Sequence, residues 1–280
     1  MSKSRSTGEI RLERRSSFYW RVTLDLPPLN IFGPADIPKL EAIVRALETD
    51  ANVKVVIFDS ANESVFLTHY DFLADLAETT SLSAGSTGLQ PIPDMLARLS
   101  RTPVVSISSI RGRATGVGSE LALACDMRFA SREKAILSQW EVGAGLVPGG
   151  GPMARLPRLM GRGRALEVLL GADGIDGDLA QTYGYVNRSL PDAELDHFVD
   201  ALARRIASFD KQAIAATKRL VDTASLPSDE EIAPEWTALM AAIQRPSTQA
   251  RIRKLMELGF HKPGDVESRL GHYVGQLGES

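Results

Sequence analysis

The 280-residue chain holds a single cysteine, Cys125. An internal disulfide and a cysteine-built metal site are thereby excluded. The thiol sits in the apolar run Leu121-Ala122-Leu123-Ala124-Cys125, where a core residue is the simplest reading. Histidine is scarce too, and His69, His197, His261 and His272 lack ligand spacing, so no metal is expected. A formal net charge of −3 leaves no excess of positive charge for nucleic acid or an anionic membrane. No apolar run approaches the length of a bilayer span. Residues 1–17 are rich in Ser, Arg and Glu and lack the apolar centre of a secretory signal. A soluble, cytoplasmic protein without membrane or nucleic-acid partners is expected.

Familiar phosphate and nucleophile signatures are missing as well. The glycine-rich stretch from Gly112 to Glu120 has no Lys-Ser/Thr ending, so it is not a P-loop. Gly161-Arg162-Gly163 lacks a preceding strand and a third glycine, which removes a dinucleotide fingerprint. There is no G-x-S-x-G elbow.

The apolar and charged shares, 44% and 24%, are those of a globular protein, and the length supports a sizeable core. Residues 1–17 read as a flexible lead-in. Trp20, Val22, Leu24 and Leu26 then alternate with polar neighbours, a strand ended by Pro27-Pro28. Ile37, Leu40, Ile43, Val44 and Leu47 recur at helical spacing. Val53 to Phe58 and Val104 to Ile110 read as strands buried on both faces. A helix is expected from about Asp71 to Ala77, and a Ser/Thr/Gly-rich surface loop from Thr79 to Gly88. Gly112 to Gly118 predicts a tight turn feeding a helix. From Glu194 onward the periodicity is helical throughout. Strands mixed with helices over 18–193, then helices alone over 194–280, predict an α/β core with a helical C-terminal subdomain.

The informative segment runs from Thr102 to Asn187. It contains Thr102-Pro103-Val104-Val105, then Gly116-Val117-Gly118-Ser119-Glu120, then Glu141-Val142-Gly143. Pro148-Gly149-Gly150-Gly151, Arg155-Leu156-Pro157-Arg158-Leu159 and Tyr183-Gly184-Tyr185-Val186-Asn187 follow in order. Chemistry suggests why such a pattern matters. Proton transfer beside a carbonyl puts negative charge on its oxygen, and backbone N–H groups at a turn entering a helix meet that charge without reorganising. Gly116 and Gly118 let the backbone approach a ligand closely. Glu120 just beyond the turn and Glu141 from the next strand–loop supply two carboxyl groups, which suits general acid/base work.

This ordered series resembles the crotonase superfamily, the enoyl-CoA hydratases and isomerases, over roughly Trp20 to Phe209. The resemblance implies a spiral of ββα units with C-terminal helices at a subunit interface, and a homo-oligomer, a trimer or hexamer. It implies an acyl-coenzyme A thioester substrate, with coenzyme A as part of the substrate and no other cofactor. In family terms the oxyanion-hole N–H groups belong to Val117 and Tyr70, the latter in Phe66-Leu67-Thr68-His69-Tyr70-Asp71. Thr68, His69, Asp71, Gly116 and Gly118 are the implied substrate-binding positions, with the adenine-contacting backbone near Thr68. Retention of both Glu120 and Glu141 matches the hydratases, implying addition of water to a 2-enoyl-CoA. Isomerisation, thioester hydrolysis and retro-aldol cleavage are the enzymatic alternatives, and a non-catalytic acyl-CoA binder is the alternative from another class.

Two departures from the family pattern stand out: His69 replaces the glycine before the oxyanion donor, and Leu73 replaces a common lysine. Blander readings stand beside the functional ones. An acid in a first helical turn, such as Glu120, gains from the helix dipole whatever its chemistry. Glu141 alone reads equally as a loop carboxylate. His69 reads as a substrate-side group, a supporting hydrogen bonder or a loop residue. Tyr70 and Trp140 read as pocket wall, Asp126 as structural, and Arg158, Arg162 and Arg164 as a solvated helix start.

Overall fold

The computed structural model describes residues 8–278. In chain order the elements are β1 (Glu9–Arg14), β2 (Tyr19–Asp25), α1 (Ile37–Thr49), β3 (Val55–Ser60), β4 (Val65–Leu67), α2 (Leu76–Thr80) and α3 (Pro91–Arg101). Next come β5 (Val105–Ile110), β6 (Arg113–Thr115), α4 (Val117–Ala124), β7 (Met127–Ser131), β8 (Ile136–Ser138), α5 (Pro152–Gly171), β9 (Ile175–Asp176), α6 (Gly177–Tyr183) and β10 (Arg188–Leu190). The chain closes with α7 (Asp192–Ala207), α8 (Lys211–Ser225), α9 (Asp229–Ile243), α10 (Pro246–Leu258), α11 (Asp265–Ser268) and α12 (Leu270–Gly275).

One six-stranded sheet has the order β1-β2-β3-β5-β7-β10 and one four-stranded sheet the order β4-β6-β8-β9. The pairs β3/β5, β5/β7, β4/β6 and β6/β8 are all parallel. Consecutive strands thus alternate between sheets: β3 and β4, then β5 and β6, then β7 and β8, each pair followed by helix. Every ββα unit advances the chain one strand in each sheet, which is the expected spiral.

The β-branched strands are apolar on both faces because both faces are covered. In β3, Val56 and Phe58 join the main core with α1 and α3, while Val55 and Ile57 join Leu195, Val199, Ala203 and Ile206 of α7. The first of the C-terminal helices therefore packs directly on the large sheet. Farther on, Leu255, Phe260, Leu270 and Val274 share a cluster with Trp140, Ala144 and Leu146. Asp126 ties α8 to the sheet, accepting from Ser106 N at 2.8 Å and from Lys218 Nζ at 2.7 Å.

Two expected elements come out differently. Within the segment 1–17, residues 9–14 form edge strand β1, antiparallel to β2 from Glu9↔Asp25 to Arg14↔Trp20. Its alternation of Ile10 and Leu12 with charged residues suits an edge strand with one solvated face. Residues 1–7 lie outside the described residues. The helix expected from Asp71 starts only at Leu76. Asp71 Oδ1 accepts from Leu73 N in a turn, and Asp75 caps the helix by accepting from Ala77 N.

Among the described residues no helix is long and apolar enough to cross a membrane.

Candidate active site

Two loops from different ββα units meet where the small sheet ends. The first, 66–71, leaves β4; the second, 115–118, turns from β6 into α4. They are locked in register, because Gly118 N donates to Thr68 O at 2.9 Å and Thr68 N donates to Asn30 O at 3.0 Å. Gly116 adopts φ +53, which favours glycine, and a Cβ there would sit 3.0 Å from both Glu141 Oε1 and Trp140 Nε1. Gly118 tolerates still less, since its Cβ would fall 1.8 Å from Leu67 O.

A cavity of about 180 Å³ opens at this junction, lined by Tyr70, Val117, Glu120 and Glu141, with Trp140 and Trp236 in its walls. Val117 is the first residue of α4, where a helix leaves its N–H without an intrahelical acceptor. Phe32 N donates to His69 O and Asp71 N donates to Phe32 O, a bridge that passes over the Tyr70 N–H. The N–H groups of Tyr70 and Val117 thus have no acceptor among the described residues. These are the two positions the sequence resemblance implied as oxyanion donors.

The two carboxyl groups converge on the same cavity. Glu120 points from the first turn of α4, and its Oε1 accepts from Gly150 N at 2.8 Å. Glu141 begins the 3₁₀ turn Glu141–Ala144 after β8, and its Oε2 is buried without a hydrogen-bond partner among the described residues. Burial raises the pKa of Glu120, partly offset by the Gly150 N–H and the Arg155 charge. Burial raises Glu141 well above the ordinary carboxylate range, and the neighbouring Glu120 charge pushes the same way. One carboxyl of such a pair retains a proton where an isolated glutamate has lost it.

Of the other implied binding positions, His69 and Asp71 line the cavity. Gly116 and Gly118 act by shaping the turn. Thr68 is turned inward, with its hydroxyl donating to Leu29 O and Asn30 O. His69 is buried and both ring nitrogens are engaged, Nδ1 with Tyr70 O at 2.9 Å and Nε2 with Glu267 Oε1 at 3.0 Å. Of its three sequence readings, the supporting hydrogen bonder matches this geometry. The Tyr70 phenol, pushed up to about 12 by burial, is hydrogen-bonded to Thr79 and stays neutral as cavity wall. Trp140, read from sequence as pocket wall, lines the cavity and presents a buried indole N–H with no partner among the described residues.

Sequence reasoning also missed the contribution of α9. Trp236, Leu239, Met240 and Ile243 close one side of the cavity, and their helical periodicity reads the same as that of any core-facing helix. Glu235 of the same helix is buried and accepts from Ala154 N at 2.8 Å, capping the start of α5. Arg155 donates to Gly150 O at 2.9 Å, so Arg155 and Glu120 hold opposite ends of the Gly150 residue. Burial raises the Glu235 pKa from 4.5 to about 8, with the Glu120 charge adding to it. A raised folded-state pKa means that this carboxyl's contribution to stability is complete below about pH 4.5 and is lost as pH rises through about 8. Glu235→Gln removes that loss. Thermal unfolding is expected to show the melting temperature of the variant gaining on wild type between pH 5 and 9; a difference constant across that range contradicts the assignment.

Comparisons with known proteins bear on this geometry. A family model described as enoyl-CoA hydratase/isomerase matches residues 16–257, extending beyond the motif-bearing segment into the C-terminal helices. The short-chain-enoyl-CoA hydratase of Clostridium acetobutylicum is 30% identical over 202 residues, covering 72% of this chain and 76% of that protein. The crotonyl-CoA hydratase of Syntrophomonas wolfei is 32% identical over 192 residues, covering 68% of this chain and 72% of that protein. A solved Streptomyces avermitilis structure, described provisionally as an enoyl-CoA hydratase, superposes with a TM-score of 0.90 at 40% identity, covering 98% of both chains.

Proposed function

Because the chain belongs to the enoyl-CoA hydratase/isomerase family, we propose that it adds water across the double bond of a 2-enoyl-CoA thioester, using Glu120 and Glu141. One observation carries this reading: two buried carboxyl groups line the same cavity as two backbone N–H groups that have no acceptor among the described residues.

In this mechanism the thioester oxygen lies between the N–H groups of Tyr70 and Val117. Both carboxyl groups hold the attacking water. Glu120, its Oε1 fixed by Gly150 N, takes a proton from the water as the oxygen bonds to the β-carbon. The electron pair of the double bond moves onto the thioester oxygen as an enolate, which the two N–H groups stabilise. Glu141, kept protonated by burial and by the Glu120 charge, delivers its proton to the α-carbon. Proton exchange between the two carboxyls then restores the starting state. No redox step enters, and coenzyme A is simply the carrier of the acyl group.

The isomerase, thioesterase and retro-aldol alternatives would call on His69 as the substrate-side group. With both ring nitrogens bonded inside the protein, that residue offers no free group for such chemistry. Two functional carboxyl groups remain, and hydration needs both. A panel of trans-2-enoyl-CoA thioesters of increasing chain length, followed by loss of enoyl absorbance, tests the proposal. At least one member is expected to be hydrated with a kcat of about 1 s⁻¹ or more, within the ordinary enzymatic range. Isomerisation or thioester cleavage without hydration of any member would contradict it.

A further inference from the structure

Glu267 lies outside the matched residues 16–257, on the short helix α11, yet its side chain reaches into the loop that carries Tyr70. The contact spans 198 positions of sequence. Glu267 Oε1 lies 3.0 Å from His69 Nε2 and Oε2 lies 3.2 Å away. The same Oε1 accepts from His261 N at 2.7 Å, which fixes the carboxylate from its own segment. Both side chains of the pair are about 1% exposed.

The hydrogen-bond roles follow from the partners. His69 Nδ1 faces the Tyr70 carbonyl oxygen at 2.9 Å, and a carbonyl only accepts, so Nδ1 carries a proton. One further proton lies on the Nε2···Oε1 axis, and the bond holds whichever partner carries it. The ring is packed against Phe260, with centroids 4.2 Å apart, and meets the edge of Trp140 at 5.9 Å. Arg113, also largely buried, places positive charge near Glu267. His261 and Asp71, 3.5 Å apart at Nδ1 and Oδ1, complete the polar groups around the pair. At the backbone, a Cβ on Gly116 would be 3.4 Å from His69 Cα, so this residue sits where the two oxyanion loops touch.

We propose that Glu267 is a positioning residue for the oxyanion hole, acting through His69 on the peptide donor at Tyr70. The His69 ring, held at Nε2 by Glu267 and at one face by Phe260, uses Nδ1 to hold the Tyr70 carbonyl. The Phe32 bridge holds the peptides on both sides of Tyr70, through His69 O and Asp71 N, and the His69 ring adds a second hold on the one after it through the Tyr70 carbonyl. The Tyr70 N–H then has one direction left, into the cavity. Where the family pattern has glycine, this chain replaces backbone freedom with a side-chain clamp anchored in its C-terminal segment. A consequence is that the hole is complete only when 259–270 is docked.

This inference rests on the hydratase reading, and the test separates the two. Full-length wild type, Glu267→Ala and Glu267→Gln are compared for kcat and KM on the enoyl-CoA that wild type hydrates fastest. Affinities for free CoA and for acetoacetyl-CoA, whose enolate needs the hole, are measured alongside. Glu267→Ala is expected to lower kcat at least about tenfold, part of the cost of losing one well-placed oxyanion donor. It is expected to weaken acetoacetyl-CoA by a similar factor while leaving free CoA within about twofold. Glu267→Gln can donate to a bare Nε2 and accept from His261 N, and is expected to keep kcat within about threefold. Glu267→Met keeps the volume and removes the acceptors, and is read in the same way if the alanine variant does not fold. Wild-type kcat in Glu267→Ala, or equal weakening of CoA and acetoacetyl-CoA, overturns the positioning role. A wild-type chain that hydrates no enoyl-CoA overturns the hydratase reading instead.

Discussion

Glu120→Gln and Glu141→Gln are each expected to lower kcat for enoyl-CoA hydration by about 10²-fold or more, the usual scale for a general acid or base. The amide is close to isosteric in both cases. At Glu120 its oxygen can still accept from Gly150 N, so the loop 143–151 keeps its anchor. What is lost is the ability to take a proton from water. At Glu141 the amide replaces a carboxyl whose pKa is raised by burial and by the Glu120 charge, and on the proposed mechanism the loss is of the proton delivered to the α-carbon. Free CoA affinity is expected to stay within about twofold of wild type, because in the proposed mechanism these side chains act at the acyl end of the substrate and not on the nucleotide. Stopped-flow hydration with a parallel CoA titration checks both statements. An isomerase gives a different pattern, with one glutamate indispensable and the other silent.

Gly118→Ala is expected to be comparably damaging by a route that touches no titratable group. The added methyl would fall 1.8 Å from the backbone oxygen of Leu67 and 2.4 Å from its carbon, and neither can swing aside as a side-chain tip would. Gly118 N also bonds Thr68 O, so relief must part the two loops that present Tyr70 and Val117. Overpacking of this kind costs about 1–3 kcal/mol of stability. Displacing an oxyanion donor costs about 10²- to 10³-fold in kcat. Gly163→Ala in α5 is the matched control, with nothing within 4 Å of its Cβ position. It is expected to leave activity unchanged and to hold or raise the melting temperature, as alanine does in a helix. If Gly118→Ala retains more than about a tenth of wild-type kcat, the close approach of the two loops does not set the geometry of the hole.

The parts of this site that were legible from sequence are those where local backbone geometry restricts residue choice. A glycine turn that brings N–H groups to a ligand cannot carry side chains at Gly116 and Gly118, so it leaves a visible mark. Glu120 follows it by helical position, and Glu141 follows β8 within a short turn. The β-branched run of β3 was legible because burial on both faces leaves few polar alternatives. The contribution of α9 was not, since Trp236 and Leu239 face a cavity with the same spacing they would show against any core. Glu235 and Glu267 look like ordinary surface acids in sequence. Their burial arises from contacts 81 and 198 positions away, which no local pattern encodes. The start of α2 was misplaced because Asp71 and Asp75 both read as helix-start residues, and only the turn at Leu73 decides between them.

If Glu120 and Glu141 act on one water as a unit, replacing both together leaves a signature that neither single variant can give. Measured beside the two single variants on the same enoyl-CoA, Glu120→Gln/Glu141→Gln is expected to lose much less in kcat than the product of the single losses. Once either carboxyl is gone the other has no concerted step left to serve, so the second substitution removes little more. Losses that multiply, or a single variant with wild-type kcat, would contradict the two-carboxylate mechanism.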